Sequence, residues 1–418
     1  MITRFPADLA RSYLEALCAV KPNRRTGSPG NKSATDFVAS LFKQWGYEID
    51  TTPFDCLDYE SGAATLTNAT SFFPVTISPF SPGINVIAPL AVVSTVKELA
   101  ACDCTGRLVL LKGEIAAEPL MPKNFAFYNP EQHQQIYALL EAKQPAAIIT
   151  TTTGSLSTAG AVYPFPMIED GDFDIPSVYC TEPIGNAIAA SGSPLRLVVE
   201  ARRIPAQAAN VVARKNSRAA GKITVCAHLD AKEGTPGALD NASGIAVILL
   251  LGEMLADYEG GFGIEFVAVN GEDYYSAGGE MDYLRRYGDS IQEVALAVNI
   301  DGAGYRQGKT AFSAYGLPPD LETEVRLIFK RFDGLIEGPP WYQGDHMIFV
   351  QAGRPALAFT SEKATDLLST VTHSAADTPD EVDCCKLVEI AQSLGSLIRH
   401  LSTRPETINC IEISEVQE

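Results

Sequence analysis

The 418-residue chain has no apolar run long enough to cross a bilayer. Its longest candidate, Gly244 to Leu255, is interrupted by Gly252 and Glu253, which suits a buried helix better. It also lacks basic charge. Thirty-two Lys and Arg stand against 51 Asp and Glu, a formal net charge of −19. A phosphate backbone needs a basic footprint, so nucleic acid is excluded as a partner, and an anionic membrane surface would repel the chain. Cysteine pairing is absent too. The nine cysteines are odd in number and scattered, and the close pairs Cys102/Cys104 and Cys384-Cys385 have no second pair at zinc-knuckle spacing. Free thiols in a reducing cytoplasm are expected, the alternative being a secreted form already cleaved. The cytoplasm is also the expected compartment because Met1-Ile-Thr-Arg-Phe-Pro leads straight into an amphipathic stretch, with no signal-peptide order of regions. Internal repeats and low-complexity tracts are missing as well.

What is present divides by texture. Residues 7 to 20 and 33 to 46 have apolar residues at helical spacing, separated by the breaker-rich loop Arg25-Thr-Gly-Ser-Pro-Gly-Asn-Lys32. Gly46 to Thr52 reads as a strand. From 53 to 204 short β-rich runs alternate with Gly, Pro, Ser and Thr, and one helix is expected at Gln132 to Ala142. After Ala209 strands and helices alternate: strands at 223–227, 262–269, 294–299 and 356–360, helices at 243–257, 278–286, 320–331 and 382–401. This rhythm predicts an α/β fold with a mixed central sheet flanked by helices, and an inserted β-rich domain. The expected domains are 1–52 with 205–405, the insert 53–204, and a C-terminal tail 406–418.

In such sheets ligands gather beyond the carboxyl ends of the strands. The polar residues that stand out fall there. His228-Leu-Asp230 closes one strand, Glu272-Asp273 follows a second and Asp301 follows a third. Asp240 lies in a Gly-Pro-Gly loop before a helix, and His373 in a loop before the last helix. Singly each has an ordinary explanation: a structural histidine, a helix N-cap, a turn. Yet the chain has only five histidines, and two of them join this set. Zinc accepts imidazole and carboxylate ligands, and a catalytic site keeps a position open for water. Two ions about 3.5–4 Å apart carry four positive charges, which three carboxylates, one bridging, would largely offset. A further carboxylate that is not a ligand must take the proton from water. Asp230, two residues beyond His228, is expected to orient that imidazole.

Six segments carry a resemblance. They are Ala227-His-Leu-Asp230, Gly234-Thr-Pro-Gly-Ala-Leu-Asp-Asn-Ala-Ser-Gly244, Gly271-Glu-Asp-Tyr-Tyr-Ser-Ala-Gly-Gly279, Asn299-Ile-Asp-Gly302, Gly344-Asp-His-Met347 and Thr372-His-Ser-Ala-Ala-Asp-Thr378. In order and spacing, over roughly residues 205 to 405, they are similar to metallopeptidase family twenty-eight. The resemblance implies two Zn2+ ions: His228 and Asp301 on one, Asp273 and His373 on the other, Asp240 bridging. It implies Glu272 as general base and a cis peptide bond after Asp240. The family usually has Glu where this chain has Asp273, so the second ion is expected to bind more weakly. Some relatives place a Tyr before the last His for the oxyanion. Here that position is Thr372, and Tyr342 is the substitute considered. His346 is read either as a substrate contact or as a hydrogen bond that pins its loop. Gly106 to Gly113, Pro145 to Ile149 and Asp174 to Val178 weakly resemble the protease-associated domain.

The implied activity is hydrolysis of peptides with a free N-terminus, as an aminopeptidase. A carboxypeptidase needs cations for a terminal carboxylate, and Arg354 is the one basic residue flanking the site motifs. A glutaminyl cyclase uses one metal, and a binding protein on a dead scaffold would have lost ligands or base. Oligomeric state stays open.

Overall fold

The computed structural model describes residues 6–123, 129–152, 167–168, 171–192, 194–274, 277–342 and 344–403. The proposed tail 406–418 lies outside them. The chain divides into two compact units, one of Met1–Phe54, Ala208–Asp273 and Gly278–Glu418, the other of Asp55–Gln207 with Tyr274–Ala277.

The first unit is built on an eight-stranded sheet. Its order is Glu48–Asp50, Val211–Lys215, Gly263–Val269, Lys222–His228, Val294–Ile300, Ala356–Ser361, Thr310–Tyr315 and Leu335–Glu337. The four central strands, from Gly263–Val269 to Ala356–Ser361, run parallel, and antiparallel neighbours join on both sides. All seven residues of Gly263–Val269 and of Val294–Ile300 are buried, as expected for strands covered on both faces. Ile223, Val225 and Ala227 face one core with Ile264, Phe266 and Ala268. Thr224 and Glu265 face the other way, where Tyr283 of helix Gly278–Tyr287 donates to Glu265. Helix Ser243–Met254 is apolar on all sides and buried from Ser243 through Gly252, so it runs through the core rather than along its surface.

Two local departures from the sequence expectation have plain causes. The second helix spans Pro29–Gln44, starting four residues before the expected 33, because Ser28 accepts from Asn31 N and Pro29 takes the first turn. The breakers that read as loop are its start signal. The last helix spans Cys384–Ser402, capped by the Asp383 side chain.

The second unit holds a five-stranded sheet in the order Thr76–Ile77, Ser177–Thr181, Ala147–Thr152, Leu108–Leu111, Leu90–Val93, and a four-stranded sheet in the order Phe72–Phe73, Phe54–Thr67, Leu195–Ala208, Ile84–Ala88. Leu108, Leu110 and Ile149 pack with Leu195 and Leu197 of the second sheet. Val109, Leu111 and Ile148 pack with Leu99, Ile136 and Leu140 of the helices. The two strands of 14 residues and helix Glu182–Ala190 were not expected from the sequence.

Candidate metal centre

Register places the centre. His228 ends its strand opposite Val269, and Cys226 is level with Asn299, two residues before Asp301. His228, the start of the 270–273 loop and Asp301 therefore emerge at one height at the carboxyl ends of three parallel strands. Asp301 N–H donates to Phe359 O at 2.9 Å, which fixes it against the fourth. Asp240 comes in from a loop whose backbone is held by Asp377. That buried carboxylate accepts from Leu239 N at 2.7 Å and Asp240 N at 3.1 Å. The Asp240–Asn241 peptide bond is cis. His373 has a φ of +57°, the left-handed region, in the loop before the last helix.

The five expected ligands converge. His228 Nε2 lies 3.0 Å from Asp240 Oδ1 and 3.6 Å from Asp301 Oδ1. His373 Nε2 lies 2.8 Å from Asp240 Oδ2 and 3.0 Å from Asp273 Oδ1. Asp240 thus offers one oxygen to each His–Asp pair. His228, Asp240 and Asp301 form one group with ligand atoms within 4.8 Å of one another, and Asp240, Asp273 and His373 form another. A third group of the same size holds His228, Glu272 and Asp273, but Glu272 Oε2 stands 3.9 Å from His228 Nε2, farther than the Asp240 and Asp301 oxygens.

The donor set fits zinc. Tetrahedral ligands about 2.0–2.1 Å from the ion stand roughly 3.3 Å apart, and the His–Asp distances bracket that value. Both ring nitrogens of His228 and Oδ2 of Asp273 are buried without a well-directed hydrogen bond. A buried polar atom left so costs about 1–3 kcal/mol, and a cation supplies the missing partner. Glu272 and Asp301 side chains keep 21% and 19% of their exposure, whereas His228 keeps 1%, so the centre opens on the Glu272–Asp301 side.

Electrostatics agree. Burial opposes charge on His228, but the carboxylates of Asp230, Asp240, Asp301 and Glu272 around it outweigh that and raise its pKa well above the usual value. Burial likewise opposes charge on His373, and Asp273 and Asp240 lift it to about 10. Burial raises Glu272 well above the carboxylate range; His228 pulls it down, and Asp273, Asp301 and Glu280 push it further up. Two more buried carboxyl groups lie within electrostatic reach. Burial raises Glu280 to about 7, and burial with Glu280 and Glu272 raises Asp345 well above its ordinary value.

Other expectations need revision. Asp230 Oδ1 is 3.7 Å from His228 Nδ1, too far for a direct hydrogen bond. Its oxygens accept instead from Gly271 N at 2.8 Å and Asp273 N at 3.2 Å, so it shapes the loop that carries Glu272 and Asp273. Gly271 has a φ of +108°, open only to glycine without strain. His346 is fully buried, donates from Nε2 to Trp341 O at 3.0 Å and stacks near Tyr315 and Trp341; it pins its loop. Tyr342 is 68% exposed, its ring against Tyr315. Arg354 donates to Val294 O and Gln292, at the amino end of a central strand and so the opposite end from the centre. Asp377 was missed as a contributor although its motif was recognised, since nothing in sequence shows a carboxylate serving backbone amides.

Known proteins share this fold. A probable lipoprotein aminopeptidase LpqL of Mycobacterium tuberculosis is 23% identical over 291 residues, 66% of this chain and 54% of its own length. The chain thus spans about half the length of that curated relative. An aminopeptidase from Aneurinibacillus sp. strain AM-1 superposes with a TM-score of 0.72 at 24% identity, covering 95% of this chain and 93% of that one. BSAP, a zinc aminopeptidase from Bacillus subtilis, gives a TM-score of 0.73 at 19% identity, with 96% of each chain covered. The zinc-peptidase-like α/β architecture is shared with both structures. Residues 210–398, within which all five converging residues fall, match Peptidase family M28.

Proposed function

We propose that this protein is a di-zinc aminopeptidase. The observation that carries the proposal is Asp240, whose two oxygens face two separate His–Asp pairs. In this reading His228, Asp301 and one oxygen of Asp240 would hold one ion, and Asp273, His373 and the other oxygen of Asp240 would hold the second. When bound, zinc supplies Lewis acidity for the scissile carbonyl and lowers the pKa of water. Glu272 takes the proton from the attacking water on a carboxylate oxygen and returns it to the departing amine nitrogen. The partly exposed edges of Glu272 and Asp301 present negative charge to an incoming α-ammonium group, which favours peptides with a free N-terminus. A two-sided bridging carboxylate argues against the one-metal glutaminyl cyclase reading, and the position of Arg354 removes its support for a carboxypeptidase. The relatives' names, an aminopeptidase and a zinc aminopeptidase, support the same choice. Two ions per chain are expected, and the one on the shorter Asp273 should leave first under a chelator.

The test is a pair of variants assayed on aminoacyl-nitroanilides with zinc analysis. Glu272→Gln should keep its zinc and lose about 10²–10⁴-fold or more in kcat, with KM changing little. Asp240→Asn should release metal. Near wild-type turnover in Glu272→Gln, or zinc loss as ready as in Asp240→Asn, would overturn these roles.

A further inference from the structure

Two of the loops that form the centre are tied to one short N-terminal segment. Asn31, in the first turn of its helix, is 1% exposed, and its amide has two hydrogens to place. One goes to Arg24 O at 3.1 Å and the other to the side-chain oxygen of Asn270 at 2.5 Å. Asn270 is fully buried and is saturated in turn. Its amide donates to Thr35 Oγ1 at 3.1 Å and Ala209 O at 2.6 Å, and its backbone N–H donates to Asn210 Oδ1 at 2.9 Å. Asn210 then donates to Gly279 O at 2.8 Å. Asn270 is the residue immediately before Gly271-Glu272-Asp273, and Gly279 lies on the far side of the same loop. The other loop is held from the same segment. Arg24, 3% exposed, donates to Leu229 O, Pro236 O and Gly237 O, along the path from His228 to Asp240. The segment itself folds too tightly to drift: a Cβ on Gly30 would come within 1.9 Å of Asn23 O.

We propose that residues 24–31 are a positioning clamp for the centre: Asn31 acts through Asn270 to set Glu272 and Asp273, and Arg24 acts through the 229–237 carbonyls to set Asp240. The proposal rests on the reading of Glu272 as base. Neither asparagine touches the reacting atoms, so both are positioning residues. A misplacement on the order of 1 Å far from the chemistry costs about 10²-fold in rate. The link is specific to an amide, because Asp at position 31 would turn acceptors toward Asn270 Oδ1 and Arg24 O, and Ala would leave both unserved.

The experiment compares Asn31→Ala, Asn270→Ala and the double variant with the full chain, well below their melting temperatures. Turnover of aminoacyl-nitroanilides, zinc content and the visible spectrum of the cobalt-substituted protein are read together. Asn31→Ala should lose about 10- to 100-fold in kcat with KM within about threefold and zinc retained, and its cobalt spectrum should change. The double variant should lose no more than Asn270→Ala alone, since both act through one link. If Asn31→Ala does not fold, Asn31→Ser and Thr35→Val carry the test with the same readouts. An unchanged kcat and cobalt spectrum alongside a lowered Tm would overturn the clamp, as would losses that simply add. A wild-type protein with no peptidase activity would bear on the aminopeptidase reading alone, and the cobalt spectrum would still decide the clamp.

Discussion

At the scale of the residue, His346 shows how an environment selects between two sequence readings. A histidine beside an aspartate in a glycine-rich loop looks the same whether it meets substrate or holds the loop. Packing decides. The ring is buried between Trp341 and Tyr315, and the Trp341 carbonyl can only accept, so the proton sits on Nε2, while Nδ1 faces the Asn299 amide at 3.4 Å. Burial holds the pKa down at about 4, against 6.5 for a free imidazole, the Trp341 hydrogen bond offsetting a little. The sign follows. An unfolded chain takes up the proton near pH 6.5 and the folded chain only near 4. The stabilising difference is therefore fully present above pH 6.5 and is lost as pH falls toward 4, on the order of 3 kcal/mol in all. Denaturant titrations of the wild type and His346→Gln between pH 7 and 4 should show the extra slope in the wild type only. Parallel curves would assign the slope to other groups.

At the scale of the element, the strands that lead to the proposed ligands were legible because each is a largely apolar run with a polar residue at or just beyond its end, as suits strands buried on both faces. The grouping of His228, Asp240, Asp273, Asp301 and His373 drew on three strand ends and two loops before helices, and the choice of Asp273 over Glu272 as a ligand came from the family resemblance. Less was legible where backbone amides do the holding. Asp230 suggested a partner for His228, yet it accepts from the 271–273 backbone, and no side-chain pattern announces that. Strands Thr310–Tyr315 and Leu335–Glu337 were missed because one is split by polar residues and the other has three residues. Asp377 is the sharpest case. Its carboxylate receives two N–H groups from the turn that delivers Asp240, and burial raises its pKa to about 7. Asparagine has one acceptor oxygen, so Asp377→Asn must release one of the two amides. Partners of this kind are typically worth about 10–100-fold in metal affinity. Zinc should bind Asp377→Asn about that much more weakly, measured by competition with a chelator. Unchanged affinity would mean that the turn holds itself.

At the scale of the whole molecule, the cores have separate membership. Among the described residues, the buried members of the large cluster run from Ala10 to Tyr47 and from Val211 to Leu401, while those of the other unit's two clusters run from Leu66 to Val199. Each unit therefore has its own apolar burial to set against its own chain entropy, and two-state melting is not required of the pair. The proposed metal ligands, by contrast, all come from the first unit. An ion that binds only the folded form stabilises it by mass action, roughly 4 kcal/mol when free metal stands a thousandfold above its dissociation constant. Calorimetry of the zinc-loaded protein should accordingly resolve two transitions, and chelation should lower one while leaving the other in place. Limited proteolysis at a temperature between the chelated and zinc-loaded positions of the shifting transition should then cut residues 208–273 after chelation and spare them with zinc bound, with the susceptibility of residues 55–207 unchanged by zinc. A single transition that shifts as one body on chelation would show that the two cores melt together despite their separate membership. Zinc-dependent protection of 55–207 and not of 208–273 would place the metal's stabilising effect in the wrong unit.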